Sequence, residues 1–186
     1  EFASTFCDLG AQVTVLEALP QILTGVDTDV SKLVHRSLEK RGITIHTGVR
    51  VAGQDTGLDS VTVRLESGES IVGDAVIVSV GRRPLSESLG LDGTGVPVDE
   101  RGFVTVDAWC RTGVEGVFAI GDLIDTPGLA HVAYAEAILV IKQILGEAAV
   151  PVEYSRVPWC VYSSPEVAFV GLTEEAARAA GHDVVV

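Results

Sequence analysis

Three short runs of β-forming residues break at an acid or a glycine: AQVTVLEA (11–18), DAVIVSVG (74–81) and VFAIGD (117–122). The AVIVSV of the second is apolar but for Ser79, and Val117 to Ile120 are apolar without interruption. A strand apolar on both faces needs cover on both, which a parallel sheet flanked by helices supplies. The first run follows a helical stretch and Gly10, the order expected of a βαβ unit. In open α/β sheets, ligands bind just beyond the carboxyl ends of the strands. Glu17, Gly81 and Asp122 occupy such ends, so one fold argument selects three candidate site positions.

The intervening segments fit that scheme. EFASTFCDLG reads as a helix already under way, with Gly10 as its stop. Asp27 or Thr28 is expected to cap a second helix. Its buried face is expected to be Val30, Leu33, Val34 and Leu38, and Gly42 closes it. Residues 43–54 and 60–73 read as strands, the latter a hairpin turning at Ser67-Gly68-Glu69. Residues 85–116 are rich in Gly and Asp. A helix is expected from about 129 to 145, and its AILVIKQIL segment is apolar nearly all round, predicting burial on most sides. Residues 146–158 read as a linker. Residues 159–181 read as strand, loop, strand and a helix capped by Thr173. The chain has no Met, and GHDVVV stops in what reads as a strand. A piece of a longer protein is therefore expected.

Charge and cysteine usage narrow the partners. The net charge is −13, which repels nucleic acid and anionic membrane, so neither is expected as a partner. No apolar stretch approaches the ~20 residues of a membrane span, and the first residues carry no basic, signal-like segment. Cys7, Cys110 and Cys160 form no CxxC and no metal spacing, which fits a reducing, cytoplasmic setting. The four histidines are scattered, so no metal site is expected.

The residue types at the three strand ends suggest chemistry. An acid at the position of Glu17 can accept both ribose hydroxyls of a dinucleotide and would repel a 2′-phosphate, favouring NAD over NADP. Taken alone it reads rather as a solvated acid at a strand end. Gly81 allows a close approach, and Arg82 and Arg83 place two cations beside it, or the group is a surface turn broken by Pro84. Asp122 can accept from ligand hydroxyls or tie its own loop. Gly128, Leu129, Ala130 and His131 open the long helix, where free N–H groups and the dipole suit negative charge or carbonyl oxygens.

Taken in order, GAQVTVLEALPQILTGVDTDV, VGRRP, VFAIGDL, LAH and SSPEVAFVG resemble the blocks of the flavoprotein disulfide reductases over essentially all 186 residues. The resemblance implies a Rossmann-like, three-layer FAD/NAD(P)-binding α/β fold, partial here, plus the start of an α+β dimerisation domain. It divides the chain into an NAD-binding part (1–84) lacking its first strand and glycine motif, the C-terminal part of an FAD-binding domain (85–150), and the start of an interface domain (151–186). It places Glu1 near the nicotinamide, Glu17 on the adenosine ribose, Val51 by the adenine and Gly81 against the cofactor. Gly121 and Asp122 fall in the block that holds the FAD ribityl chain, and Gly128, Leu129, Ala130 and His131 line the isoalloxazine ring.

The implied reaction passes electrons from a dithiol through a redox disulfide and FAD to NAD. The lipoamide-oxidising branch matches best, and a mycothione or mercuric type is the alternative. Expected partners are a lipoamide-bearing protein or a small disulfide, and a second copy in a homodimer. LAHVAYAEAILV departs from the Lys and the acidic run ending in Gly that relatives place after LAH, and Ser164 stands where His is common. The redox CxxxxC pair and the His–Glu acid/base pair have no counterpart here. No catalytic residue is thus expected in this chain, and on its own it is expected to be an inactive nucleotide-binding fragment.

Overall fold

The computed structural model describes residues 1–186, and the chain gathers into two compact units, 1–78 with 158–186, and 79–157.

The first unit begins with α1 (Phe2–Asp8), followed by β1 (Thr14–Glu17), α2 (Thr28–Lys40) and β2 (Thr44–Thr47). β1 and β2 pair in parallel, Thr14 against Thr44 through Glu17 against Thr47, with α2 as the crossover. Gly10 and Gly42 both adopt a left-handed φ of +92°, which explains why each helix stops on glycine. β3 (Val51–Thr56), β4 (Val61–Leu65) and β5 (Ser70–Gly73) form an antiparallel meander. The single strand expected over 43–54 is two strands separated at Gly48, whose φ is +70°. The hairpin turns where the sequence places it.

β6 (Trp159–Val161) and β7 (Val167–Phe169) pair antiparallel, and the rings of opposed Trp159 and Phe169 stack 6.1 Å apart. α4 (Glu174–Ala179) follows, its N-cap Thr173 accepting from the Ala176 N–H at 3.1 Å. Ile22, Val34, Leu38, Ile43 and Val167 make the core.

Two details of α2 correct the sequence reading. Val34 and Leu38 are buried, but Leu33 is 60% exposed and Val30 lies at the surface. Ser31 turns inward instead, because its hydroxyl donates to the Ile22 carbonyl at 2.7 Å. Asp27 holds the N-cap position without capping. Its carboxylate accepts from the Glu174 N–H at 2.7 Å, joining the starts of α2 and α4.

The second unit is mostly irregular, organised on one helix, α3 (Ala130–Ile144). Val104, Cys110, Ile124, Leu139 and Val140 form its core. The expected buried strand at 117–120 is not a strand. Only an isolated bridge, Arg111 to Phe118, marks it, and Val117 is 38% exposed. Nor do residues 75–80 form a strand. Val76, Ile77, Val78 and Val80 are exposed, since pairing needs a neighbouring backbone and β1 pairs with β2 alone.

α3 is buried on one face only: Val132, Glu136, Leu139 and Val140 face inward, whereas Tyr134, Ile138, Ile141 and Leu145 are exposed. The stretch expected to be a linker also packs. Ala149 and Val152 cover the core, and Tyr154 opens a short 3-10 turn, Tyr154–Arg156. No helix is long and apolar enough to cross a membrane.

Candidate functional site

In the second unit, a tight turn at Gly121–Leu123 presents Asp122 beside the start of α3. Gly121 has a φ of +67°, a conformation other residues enter at a cost, and its backbone approaches α3 so closely that a Cβ there would lie 3.4 Å from the Ala133 methyl. Asp122 is more than half exposed. Its Oδ2 lies 3.3 Å from Arg82 Nη1. Arg82 Nη2 donates to the Gly128 carbonyl. An added Cβ on Gly128 would stand 3.3 Å from Asp122 Oδ1, so the carboxylate abuts the residue two positions before α3.

α3 begins at Ala130 with Leu129 as N-cap and no side-chain capping bond. The Val132 and Ala133 N–H groups return to the Leu129 carbonyl at 3.0 and 3.1 Å, and no capping side chain quenches the positive dipole end of the first turn. Gly121, Asp122, Gly128, Leu129, Ala130 and His131 thus lie in one short stretch of surface. Gly81 is exposed at φ +129° with nothing within 4 Å of where its Cβ would stand, so its backbone conformation, rather than crowding, calls for glycine. Arg82 and Arg83 also line an open cleft of about 820 Å³ with Arg101, Asp92 and Asp99, a wall of mixed charge with no single pull on an anion.

The turn is anchored by a residue the sequence reading passed over. Glu136 on α3 is fully buried. Its Oε2 accepts from the Gly121 N–H at 2.6 Å, and its Oε1 accepts from the Thr126 hydroxyl at 2.8 Å and the Tyr154 hydroxyl at 2.9 Å. Burial first, then the hydrogen bond to Glu136, pushes the Tyr154 phenol well above its usual range. The signal in the sequence was an acid in register with Val132, Leu139 and Val140 on an otherwise apolar stripe.

In the first unit, Glu17 ends β1. Its Oε1 accepts from the Leu19 N–H at 2.8 Å, fixing the turn that follows. The Val49 N–H donates to the Glu17 carbonyl at 3.0 Å, and the Gly48 N–H to the Leu19 carbonyl at 2.9 Å. This brings Val51, half exposed at the start of β3, to the same edge as Glu17. Glu1 lies at the other end of α1, where its Oε1 accepts from the Tyr162 N–H at 2.7 Å. The 162–164 loop is held to α1 a second time, since Ser4 Oγ accepts from the Ser164 N–H at 3.0 Å. The contact of Tyr162 with Glu1 and of Ser164 with Ser4 was not legible, because about 160 residues separate the partners in each pair.

These arrangements suit hydroxyl-rich, dinucleotide-like ligands. Exposed carboxylates at strand or turn ends accept from sugar hydroxyls, and an uncapped helix start offers donors to carbonyl oxygen or developing negative charge. Both features needed for a flavin's ribityl chain and ring edge are present in the second unit. The exposed Asp122 carboxylate beside the positive end of α3 therefore fits FAD, and Glu17 with Val51 fits the adenosine half of NAD.

Comparison with known proteins shows the family. Residues 1–137 match the pyridine nucleotide-disulphide oxidoreductase family, and residues 157–186 match the dimerisation domain of the same family. Dihydrolipoyl dehydrogenase from Thermus scotoductus is 42% identical over 191 residues, covering 100% of this chain and 41% of the relative. The enzyme of that name from Bacillus subtilis is 39% identical, covering 100% of this chain and 40% of the relative. Among solved structures, LpdA from Mycobacterium tuberculosis superposes with a TM-score of 0.90 at 28% identity, covering 97% of this chain and 39% of that one. The HOCl-induced flavoprotein disulfide reductase RclA from Escherichia coli gives 0.91 at 30% identity, covering 98% and 42%. The chain thus spans about 40% of the length of these relatives.

Proposed function

Because the chain belongs to the pyridine nucleotide-disulphide oxidoreductase family, we propose that it is the central part of a flavin-dependent dihydrolipoyl dehydrogenase that passes electrons from dihydrolipoamide to NAD. The observation that carries this reading is the Asp122 carboxylate beside Gly128 and the uncapped start of α3. When bound, FAD supplies the ring that takes and returns a hydride equivalent. The chain's own residues bind and orient. Asp122 accepts hydrogen bonds from the ribityl hydroxyls. The segment Gly128 to His131 would line the ring, with the positive end of the α3 dipole toward the edge where negative charge accumulates on reduction.

Glu17 offers its second carboxylate oxygen to the adenosine ribose and disfavours a 2′-phosphate. Val51 packs against the adenine, Gly81 lets the cofactor approach, and Glu1 faces the nicotinamide. On this reading residues 1–84 belong to the NAD-binding domain, 85–150 to the FAD-binding domain and 151–186 to the interface domain of a cytoplasmic homodimer. The dithiol partner is a lipoamide-bearing protein.

The test is turnover of the full-length protein carrying this chain with NADH and lipoamide, alongside its visible absorbance. Flavin bands with lipoamide turnover are expected. A second reading, another disulfide reductase of the same build, is favoured only by the RclA superposition. Flavin bands with turnover of a different disulfide and none with lipoamide decide for it.

A further inference from the structure

We propose that Glu136 is the positioning residue of the flavin site, holding the Gly121 turn against α3 so that Asp122 keeps its carboxylate toward the ligand. The inference rests on the reading of Asp122 as a ribityl acceptor and adds to it a residue that touches no cofactor. A carboxylate buried without a cation is costly unless its oxygens are fully hydrogen-bonded. Glu136 meets that condition with three neutral donors, the Gly121 N–H, the Thr126 hydroxyl and the Tyr154 hydroxyl. These donors come from the ligand-facing turn, from the loop that leads to α3, and from the 3-10 turn after it. The apolar neighbours on the same face of α3, Val132, Leu139 and Val140, pack without such bonds, so burial alone does not call for an acid at this place.

The link to Asp122 is short. Gly121 precedes it directly, and its N–H points into the helix at the Glu136 carboxylate, not toward the ligand side. The Ile124 N–H closes the turn onto the Gly121 carbonyl at 3.0 Å. Gly121 is thereby fixed at both its N–H and its C=O, and Asp122 follows it directly, inside the turn that the Ile124 N–H closes. Removing the carboxylate frees the first of them and leaves an unpartnered amide against Ala133.

The test is a cycle in the full-length protein between Glu136→Leu, which keeps volume and helix preference, and Asp122→Ala, read as the dissociation constant of FAD from the apoprotein. Glu136→Leu is expected to weaken FAD about tenfold in the wild-type background and less than about threefold in the Asp122→Ala background. Glu136→Gln is expected to restore near-wild-type affinity, because its carbonyl can face Gly121 while both hydroxyls turn to accept from its amide.

Equal weakening in both backgrounds, or no weakening in either, overturns the positioning role. Should Glu136→Leu not fold, Tyr154→Phe removes one support of the carboxylate and goes through the same cycle. About threefold weakening with Asp122 present and none without it supports the role, and any other pattern overturns it. A wild-type protein that takes up no FAD defeats the reading of Asp122 itself, which separates the two failures.

Discussion

Arg82 and Asp122 face each other at 3.3 Å, and the same guanidinium donates to the Gly128 carbonyl just before α3. One cation thus joins the carboxylate and the helix approach that together form the candidate flavin site. Both side chains are more than half exposed, at 69% and 57%, so the pair contributes at most about 1 kcal/mol to stability. Arg82→Ala is expected to lower Tm by less than about 4 °C. It is expected to weaken flavin retention more than that small stability change suggests, since Gly128 and Asp122 both lose their common partner. A thermal melt of the apoprotein and a flavin titration separate the two effects. A large Tm loss would show that Arg82 holds up the unit and not merely its site.

Glu17 sets the pyridine nucleotide preference on the proposed reading. A cation at this strand end would pair with a 2′-phosphate instead of repelling it. Glu17→Arg is expected to move the ratio of kcat/KM for NADH over NADPH down by about tenfold to a hundredfold in the full-length protein. One oxygen of Glu17 also accepts from Leu19, so Glu17→Gln is the control that keeps the turn. An unchanged ratio in Glu17→Arg would remove Glu17 from the nucleotide site.

What the sequence disclosed, and what it hid, follows the range of the interactions. The β4–β5 hairpin, the Thr173 cap and the limits of α3 are local and were legible. Residues 75–80 have the composition of a strand, yet strand formation depends on a pairing partner that composition does not contain. The inward turn of Ser31 rests on the Ile22 carbonyl nine residues back, so periodicity alone favoured Val30. Asp122 was singled out by a local pattern, an apolar run ending in an acid before a helix, although that run forms no strand. Glu136 was not, because its partners lie 15 and 10 residues before it and 18 after it. The tie between Asp27 and the start of α4, 147 residues away, was hidden for the same reason.

Alkaline pH should weaken the second unit. Burial, then the negative charges of Glu136 and Asp107, pushes the Cys110 thiol up to about 11 from the ordinary 9.0. The folded chain keeps that proton while the unfolded chain loses it, so unfolding releases protons and stability falls as pH rises between these values. Tyr154 is shifted upward as well and acts in the same direction. Tm is expected to be flat below pH 8 and to fall from pH 9 to 11. Cys110→Ala should remove part of the slope. In native protein at pH 8, alkylation is expected at the partly exposed Cys7 and Cys160 before the buried Cys110. Labelling of Cys110 first, read by peptide mass, would contradict this.

Arg41, the C-cap of α2, ties three segments of the first unit together. Its Nη1 donates to Ser4 Oγ and to the Ser164 carbonyl, both at 2.8 Å, and its Nη2 reaches the Ser4 carbonyl at 3.2 Å and the Asp8 carboxylate. Ser4 is only 3% exposed, so truncating Arg41 removes a charged donor from a buried hydroxyl and carbonyl. Arg41→Ala is expected to cost about 1–3 kcal/mol, the range for losing part-buried hydrogen bonds from a charged donor. Lysine carries the charge but not the planar fork, and it reaches one acceptor where arginine reaches several. Arg41→Lys should therefore recover less than half of the loss. Urea denaturation of the two variants measures this. Amide exchange at Ser164 tests the cause, because the 162–164 loop loses its carbonyl anchor while Ser4 still accepts from the Ser164 N–H. Full recovery by lysine would mean that charge, not the fork, holds α1, α2 and this loop together.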